Sequence, residues 1–170
     1  MNNKINNEND FIPLGKIKPT GWLKEQLEIQ AEGLTGHIEE VWEDLGASNM
    51  WLGGDKEGWE RGPYYVDGLV PLAYLLENDI LIKKANKWIN AVLNSEQEDG
   101  WIGPEKPEEE RYPKRDYWPI FIVFKALTQY YEISKDPKVI EVMNKFFKYL
   151  ESALKERPLF SWAKFRWADL

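Results

Sequence analysis

Tryptophan, arginine and carboxylate residues gather at three places along this chain: Trp59, Glu60, Arg61, Tyr64, Tyr65 and Asp67; then Arg111, Arg115, Asp116, Tyr117 and Trp118; then Trp162, Lys164, Arg166, Trp167 and Asp169. An indole offers a wide apolar face with one N–H at its edge, a guanidinium a planar fork of donors, and a carboxylate two acceptor oxygens. Together such groups can stack on the apolar face of a sugar ring while hydrogen-bonding its hydroxyls, the division of labour of a concave ligand site. Each cluster precedes or opens a strongly apolar segment that reads as a helix, so helices lying side by side would bring all three to one face.

Cleaving a glycosidic bond usually takes two carboxyl groups, one protonated as acid and one ionised as nucleophile or base, about 5 to 9 Å apart. Glu60, Asp67, Asp99, Glu105, Asp116 and Asp169 are the acids available near the clusters, and Asp67 and Asp116 are the catalytic candidates. Plainer roles stand beside these: a structural hydrogen bond for Asp67 and a helix cap for Asp116. The substrate wall is read as Trp59, Glu60, Arg61, Tyr65, Asp67, Trp101, Asp116, Tyr117 and Trp118. Trp59, Trp101, Trp118 and Trp162 are its stacking rings, although each taken singly also reads as core or loop packing. Arg61 and Arg115 either clamp an acidic sugar or pair with Glu60 and Asp116; internal pairing is expected. His37, the single histidine, lies beside Gly36 and is expected to face solvent rather than act as a base. The acidic run Glu108 to Glu110 reads as a solvated loop without calcium-ligand spacing. No phosphate-cradling glycine loop and no nucleophile elbow is present.

Composition narrows the partners. A chain of 170 residues, 43% hydrophobic, can bury one ordinary core. Its formal net charge of -7 disfavours nucleic acid and anionic membrane surfaces. There is no cysteine, hence no disulfide framework and no thiolate for catalysis or metal binding, and no metal site is expected. The opening residues MNNKINNEND lack the apolar stretch of a secretory signal, and no apolar run is long enough to span a bilayer. A soluble, cytoplasmic protein is expected, unless an export signal precedes this sequence.

The elements that must position the clusters repeat along the chain. Residues 1–18 read as an irregular lead-in, with Pro13 and Pro19 restricting their neighbours, and residues 19–170 as one helical domain. A first helix starts near Thr20 as N-cap and ends where Gly33 and Gly36 interrupt it. Residues 42–62 form a long loop rich in Gly, Trp and acids, the first place to look for a ligand. Pro63 sits at the start of a buried helix running to Leu76, with a kink expected at Pro71. Asp79 is placed to cap an amphipathic helix whose stripe is Leu81, Ile82, Ala85, Trp88, Ile89, Val92 and Leu93. The pattern then recurs: loop 97–114, apolar helix from Trp118 to Tyr131, then Asp136 and Pro137 opening an amphipathic helix to Leu154. Asn86, Lys87, Trp88 and Ile89 are echoed about 57 residues later by Asn144, Lys145, Phe146 and Phe147, the period of a helical-hairpin array. The expected fold is all-α, two to three hairpins of an (α/α)6 toroid with apolar helices inside and amphipathic helices outside. At roughly 57 residues per hairpin a closed ring of six would need about 340 residues, so the chain supplies half at most.

The segments WERGPYYVDGLVPLAYLL (59–76), DGWIGP (99–104), RDYWP (115–119) and SWAKFRWADL (161–170) also carry a family resemblance. Over residues 10–170 the chain resembles the N-terminal part of the catalytic toroid of the β-L-arabinofuranosidase-like glycoside hydrolases, glycoside hydrolase family 127 and its uncharacterised relatives. The resemblance implies a protein acting on plant-derived oligosaccharides. Characterised members use a zinc-held cysteine nucleophile and a glutamate acid from further along their chains. No position here matches those residues, so the resemblance implies wall residues only, and a chain that by itself is an inactive portion. A missing C-terminal half or self-association would complete it. Two other readings stay open: a helical-repeat protein-interaction module, and another toroid carbohydrate enzyme such as an epimerase or unsaturated-uronide hydrolase.

Overall fold

A computed structural model describes residues 12–106 and 113–169, the side chain of Asp169 excepted. Expectations for Arg111, for the Glu108 to Glu110 run and for the first part of the lead-in fall outside the described residues. The described elements are all helical: α1 (Trp22–Glu32), α2 (Leu34–Val41), α3 (Arg61–Leu75), α4 (Asp79–Asn94), α5 (Trp118–Ser134), α6 (Pro137–Glu156) and the short α7 (Ser161–Phe165), with single 3-10 turns at Glu43–Leu45, Met50–Leu52 and Trp167–Asp169. None of these helices is long and apolar enough to cross a membrane.

The layering follows from the hydrophobic patterns. α3 and α5 are apolar nearly all round, and they pack directly on each other. α4 and α6 each carry one apolar stripe, Leu81, Ala85, Trp88, Ile89 and Val92 on the first and Val139, Val142, Phe146 and Leu150 on the second, and lie against α3 and α5 respectively. Burial of those stripes, rather than intrinsic propensity, accounts for most of the stability of such helices. α1 and α2 pack on each other and flank α3, giving three helix pairs in sequence.

Both turns between an inner and an outer helix are built alike. Glu77 and Lys135 take left-handed backbone with φ of 52° and 55°, and the next residue caps the following helix. The Asn78 side chain accepts from the N–H groups of Ile80 and Leu81, and that of Asp136 from Lys138. Asp79, the expected cap, is therefore the first helical residue, because the shorter route to two free N–H groups starts one residue earlier. Other boundaries shift as well. Gly21 rather than Thr20 precedes α1, with φ of 56°, and its lack of a side chain leaves the helix start uncapped. Gly36 interrupts nothing: it lies buried inside α2, where an added Cβ would stand 1.7 Å from the Ala31 carbonyl oxygen, so α1 and α2 approach closely at that point. α3 begins at Arg61 with Pro63 in its first turn, where a missing N–H costs nothing, and Pro71 lies inside one continuous helix.

Candidate functional site

The first two clusters meet at the N-terminal ends of α3 and α5, joined by two crossed tryptophan–carboxylate contacts. The Trp59 indole N–H donates to Oδ2 of Asp116 at 2.9 Å, and the Trp118 indole N–H to Oε2 of Glu60 at 2.5 Å. Asp116 also caps α5, its Oδ1 accepting from the Trp118 backbone N–H at 3.0 Å, so the two proposed roles of this residue coexist. Trp59 is fixed from behind: its N–H donates to Glu57, and its carbonyl accepts from the Trp51 indole at 2.9 Å. The loop holding it is ordered by Asn49, wholly buried, whose side chain bonds Asp44, Trp51 and Glu57.

Further along the same pair of helices, Asp67 on α3 accepts from Lys125 Nζ at 2.9 Å and Gln129 Nε2 at 3.1 Å, both on α5. Asp67 and Lys125 are 58 residues apart, as are Glu60 and Trp118, so the inner helices lie parallel and in repeat register. The third cluster reaches the second through Arg166, whose guanidinium lies over the rings of Trp118, 5.5 Å away, and Trp162, 5.7 Å away. Tyr64, half-exposed, meets the edge of Trp118 at 6.4 Å between ring centroids. Lys106 lies 5.7 Å above the Trp59 ring. Arg61 pairs with Asp44 and lies 5.1 Å over the Trp42 ring, and so pairs internally but not with Glu60.

Arg115 does not join this group, and its partner is not Asp116. It donates to Asp99 (2.5 Å), Glu105 (2.6 Å) and Gln97 (2.7 Å), with its plane over Trp101 and Tyr149. The guanidinium was free to turn toward the loop because loop 97–105 folds back over it with three acceptors, whereas Asp116 is already used by two N–H donors. Asp99 would be raised by its partial burial, but the Arg115 bond and the Trp101 backbone N–H outweigh this and hold its carboxyl below the usual value. Glu105 is lowered chiefly by Lys114, against partial burial, with Arg115 adding to the effect.

Three residues assigned to the wall have no open ring face. Trp101 is 1% exposed, enclosed by Tyr117, Phe146, Tyr149 and Arg115. Tyr117 is buried beneath Arg157, and burial pushes its phenol up. Tyr65 packs edge-on against Trp88, its hydroxyl buried and raised in pKa by desolvation, with the Glu39 and Glu40 charges adding to the rise. Trp118 is also buried, its faces taken by Arg166 and its edges by Tyr64 and Phe121. The groups left near solvent are Trp59, Glu60, Arg61, Tyr64 and Asp67, with Lys125, Trp162 and Arg166 beside them. Lys125, Gln129, Trp42 and Lys106 were not singled out in the sequence; the repeat offset alone would have set Lys125 against Asp67.

His37 is exposed and its Nδ1 lies 3.1 Å from Glu40, as expected of a solvent-facing residue. An open cavity of about 760 Å³ lies between the 99–115 loop and α6, lined by Glu105, Arg115, Lys148, Tyr149 and Arg157 among others; Trp59, Glu60, Arg61, Asp67 and Trp118 take no part in it. Zinc-thiolate chemistry does not fit these residues: the chain has no cysteine, and among the described residues no three His, Asp or Glu side chains converge. Compared with protein-family models, curated proteins and solved structures, the chain matches none.

Proposed function

We propose that the chain builds one wall of a carbohydrate-binding cleft, at the shared N-terminal end of α3 and α5, within an (α/α) toroid of the glycoside hydrolase type. The observation that carries this reading is the pair of crossed contacts Trp59–Asp116 and Trp118–Glu60, which lock two carboxylates and two indoles at one end of parallel inner helices beside the half-exposed Tyr64. Oxygens of Glu60 and Asp116 and the donors of Arg61 and Lys125 are placed for sugar hydroxyls, and Tyr64 and Trp162 for stacking on ring faces. The ligand class is a plant-derived arabino-oligosaccharide, on the strength of the sequence resemblance. The chain alone binds without turnover, since the carboxylates at this end are committed to indole and backbone donors and no thiolate nucleophile exists.

Tryptophan fluorescence of the purified chain, titrated with L-arabinose and arabino-oligosaccharides, tests this. Saturable quenching that Tyr64→Ala and Asp67→Asn weaken is the expected result. A folded chain without any response overturns the cleft reading, and turnover by the purified chain overturns its inactivity. A second reading, a helical module that binds protein, is favoured by the large apolar side chains exposed on α1, α2 and α7.

A further inference from the structure

The helix array has two unlike ends, and each is apolar. At the first, α1 buries no residue, and Leu27 and Ala31 alone of its side chains pack against the core. Its outer face carries Trp22, Glu25, Ile29 and Glu32 at spacings of three, four and three, which share one side of a helix. Trp22 is 70% exposed, Ile29 61% and, on α2, Val41 78%. At the other end Trp162, Phe165 and Trp167 are exposed, the last two at 79% and 66%. Such patches on a folded chain mark contact surfaces.

Their charges are opposite. From Trp22 to Leu45 there are seven carboxylates and one lysine. Lys84 holds Glu39 and Glu40, Lys56 pairs with Glu43 and Arg61 with Asp44, yet Glu25 and Glu32 lie on the exposed α1 face without an ion pair among the described residues. From Lys155 to Trp167 there are four cations, Lys155, Arg157, Lys164 and Arg166, against Glu156 alone. Aromatic rings interleave with charge at both ends, so apolar contact and ion pairing would form together. Like ends repel and unlike ends attract, which selects one orientation.

We infer that a second copy of this chain docks head to tail, the cationic aromatic end of one protomer on the acidic apolar end of its partner. The contact is heterologous, so it either closes or extends. Each copy holds three helix pairs, and two copies hold the six of a closed toroid; closure at two rests on the toroid reading above, whereas the docking itself rests only on the two ends.

Sedimentation velocity of the full chain across a concentration series, at low and high salt, provides the test. Concentration-dependent association that salt weakens is expected. Glu25→Lys with Glu32→Lys makes both ends cationic, and Lys155→Glu with Lys164→Glu makes both acidic. Each variant alone should sediment as a monomer, and an equimolar mixture should regain association, because every unlike pair of ends is restored across the two variants. All four positions are exposed, and circular dichroism checks that the helices persist. A native chain that stays monomeric, variants that associate as the native chain does, or a mixture that stays monomeric overturns the inference. A limiting species of two copies supports closure; an open-ended series supports docking and overturns the ring. Sugar quenching measured on the monomeric variants, whose cleft residues are unchanged, separates a failure of docking from a failure of the cleft reading.

Discussion

Trp59 and Asp116 lie 57 residues apart in sequence and share a 2.9 Å hydrogen bond from indole nitrogen to carboxylate oxygen. With the reciprocal contact of Trp118 and Glu60 it ties the loop before α3 to the loop before α5, at the end where the clusters converge. A bond to a charged acceptor at a half-buried site contributes about 1.5–3 kcal/mol. Trp59→Phe and Asp116→Asn should each lower stability, and a double-mutant cycle in urea should return a coupling of about 1 kcal/mol. A coupling near zero would mean that the contact locates neither loop.

Arg115 anchors the loop that covers Trp101, and the acids it holds make that anchor pH-dependent. Asp99 and Glu105 have folded-state values below their ordinary 3.8 and 4.5. A carboxyl lowered on folding stabilises above its ordinary value, and that stabilisation disappears as pH falls through the lowered value. The native chain should therefore outlast Arg115→Gln in thermal melts at neutral pH, by about 1–3 kcal/mol for a partly exposed ion pair and cation–π site. The gap should narrow as pH falls through the carboxylate range. Equal gaps at neutral pH and at acid pH would show that Arg115 acts through packing on Trp101 and Tyr149 alone.

The two left-handed turn residues offer a test of the repeat. Glu77 and Lys135 hold φ of 52° and 55° without the glycine that such backbone favours. Left-handed backbone costs a side-chain-bearing residue about 1–2 kcal/mol, offset in part by the entropy a glycine adds to the unfolded chain. Glu77→Gly and Lys135→Gly should each raise the melting temperature by an amount equivalent to about 0.5–1 kcal/mol, the second less because Lys135 also lies over Tyr131. If the two turns are equivalent, the gains should add.

How the helices would layer was legible in the sequence, because an all-round apolar run and a one-sided stripe differ in pattern, and α3 to α6 show both twice. That the first two clusters would meet was legible from their matching places before α3 and α5. Which partner each charge takes was not. Arg61 and Arg115 each had an acid next to them in sequence and chose loop acids instead, Asp44 for one and Asp99 and Glu105 for the other. Loop backbones that fold back have no periodicity to read. Trp101 shows the same limit: its composition suited a binding wall, but the left-handed glycines on either side, Gly100 and Gly103, turn it into the core.

Gly103 shows how tightly that inward turn is packed. Its φ is 83°, and an added Cβ would stand 2.4 Å from the six-membered ring of Trp51, the residue that holds the Trp59 carbonyl. Gly103→Ala combines backbone strain with a clash against a buried indole, and should cost about 2–4 kcal/mol. Gly68, inside α3, has nothing within 4 Å of the same position and ordinary helical backbone, so Gly68→Ala should instead stabilise by about 0.5–1 kcal/mol. Chemical denaturation of the two variants beside the native chain checks both signs. Because Trp51 links Gly103 to Trp59, Gly103→Ala should also weaken sugar quenching, while Gly68→Ala leaves the crossed indole–carboxylate contacts in place. Equal loss of quenching in both would place the ligand on the open face of α3 rather than at its N-terminal end.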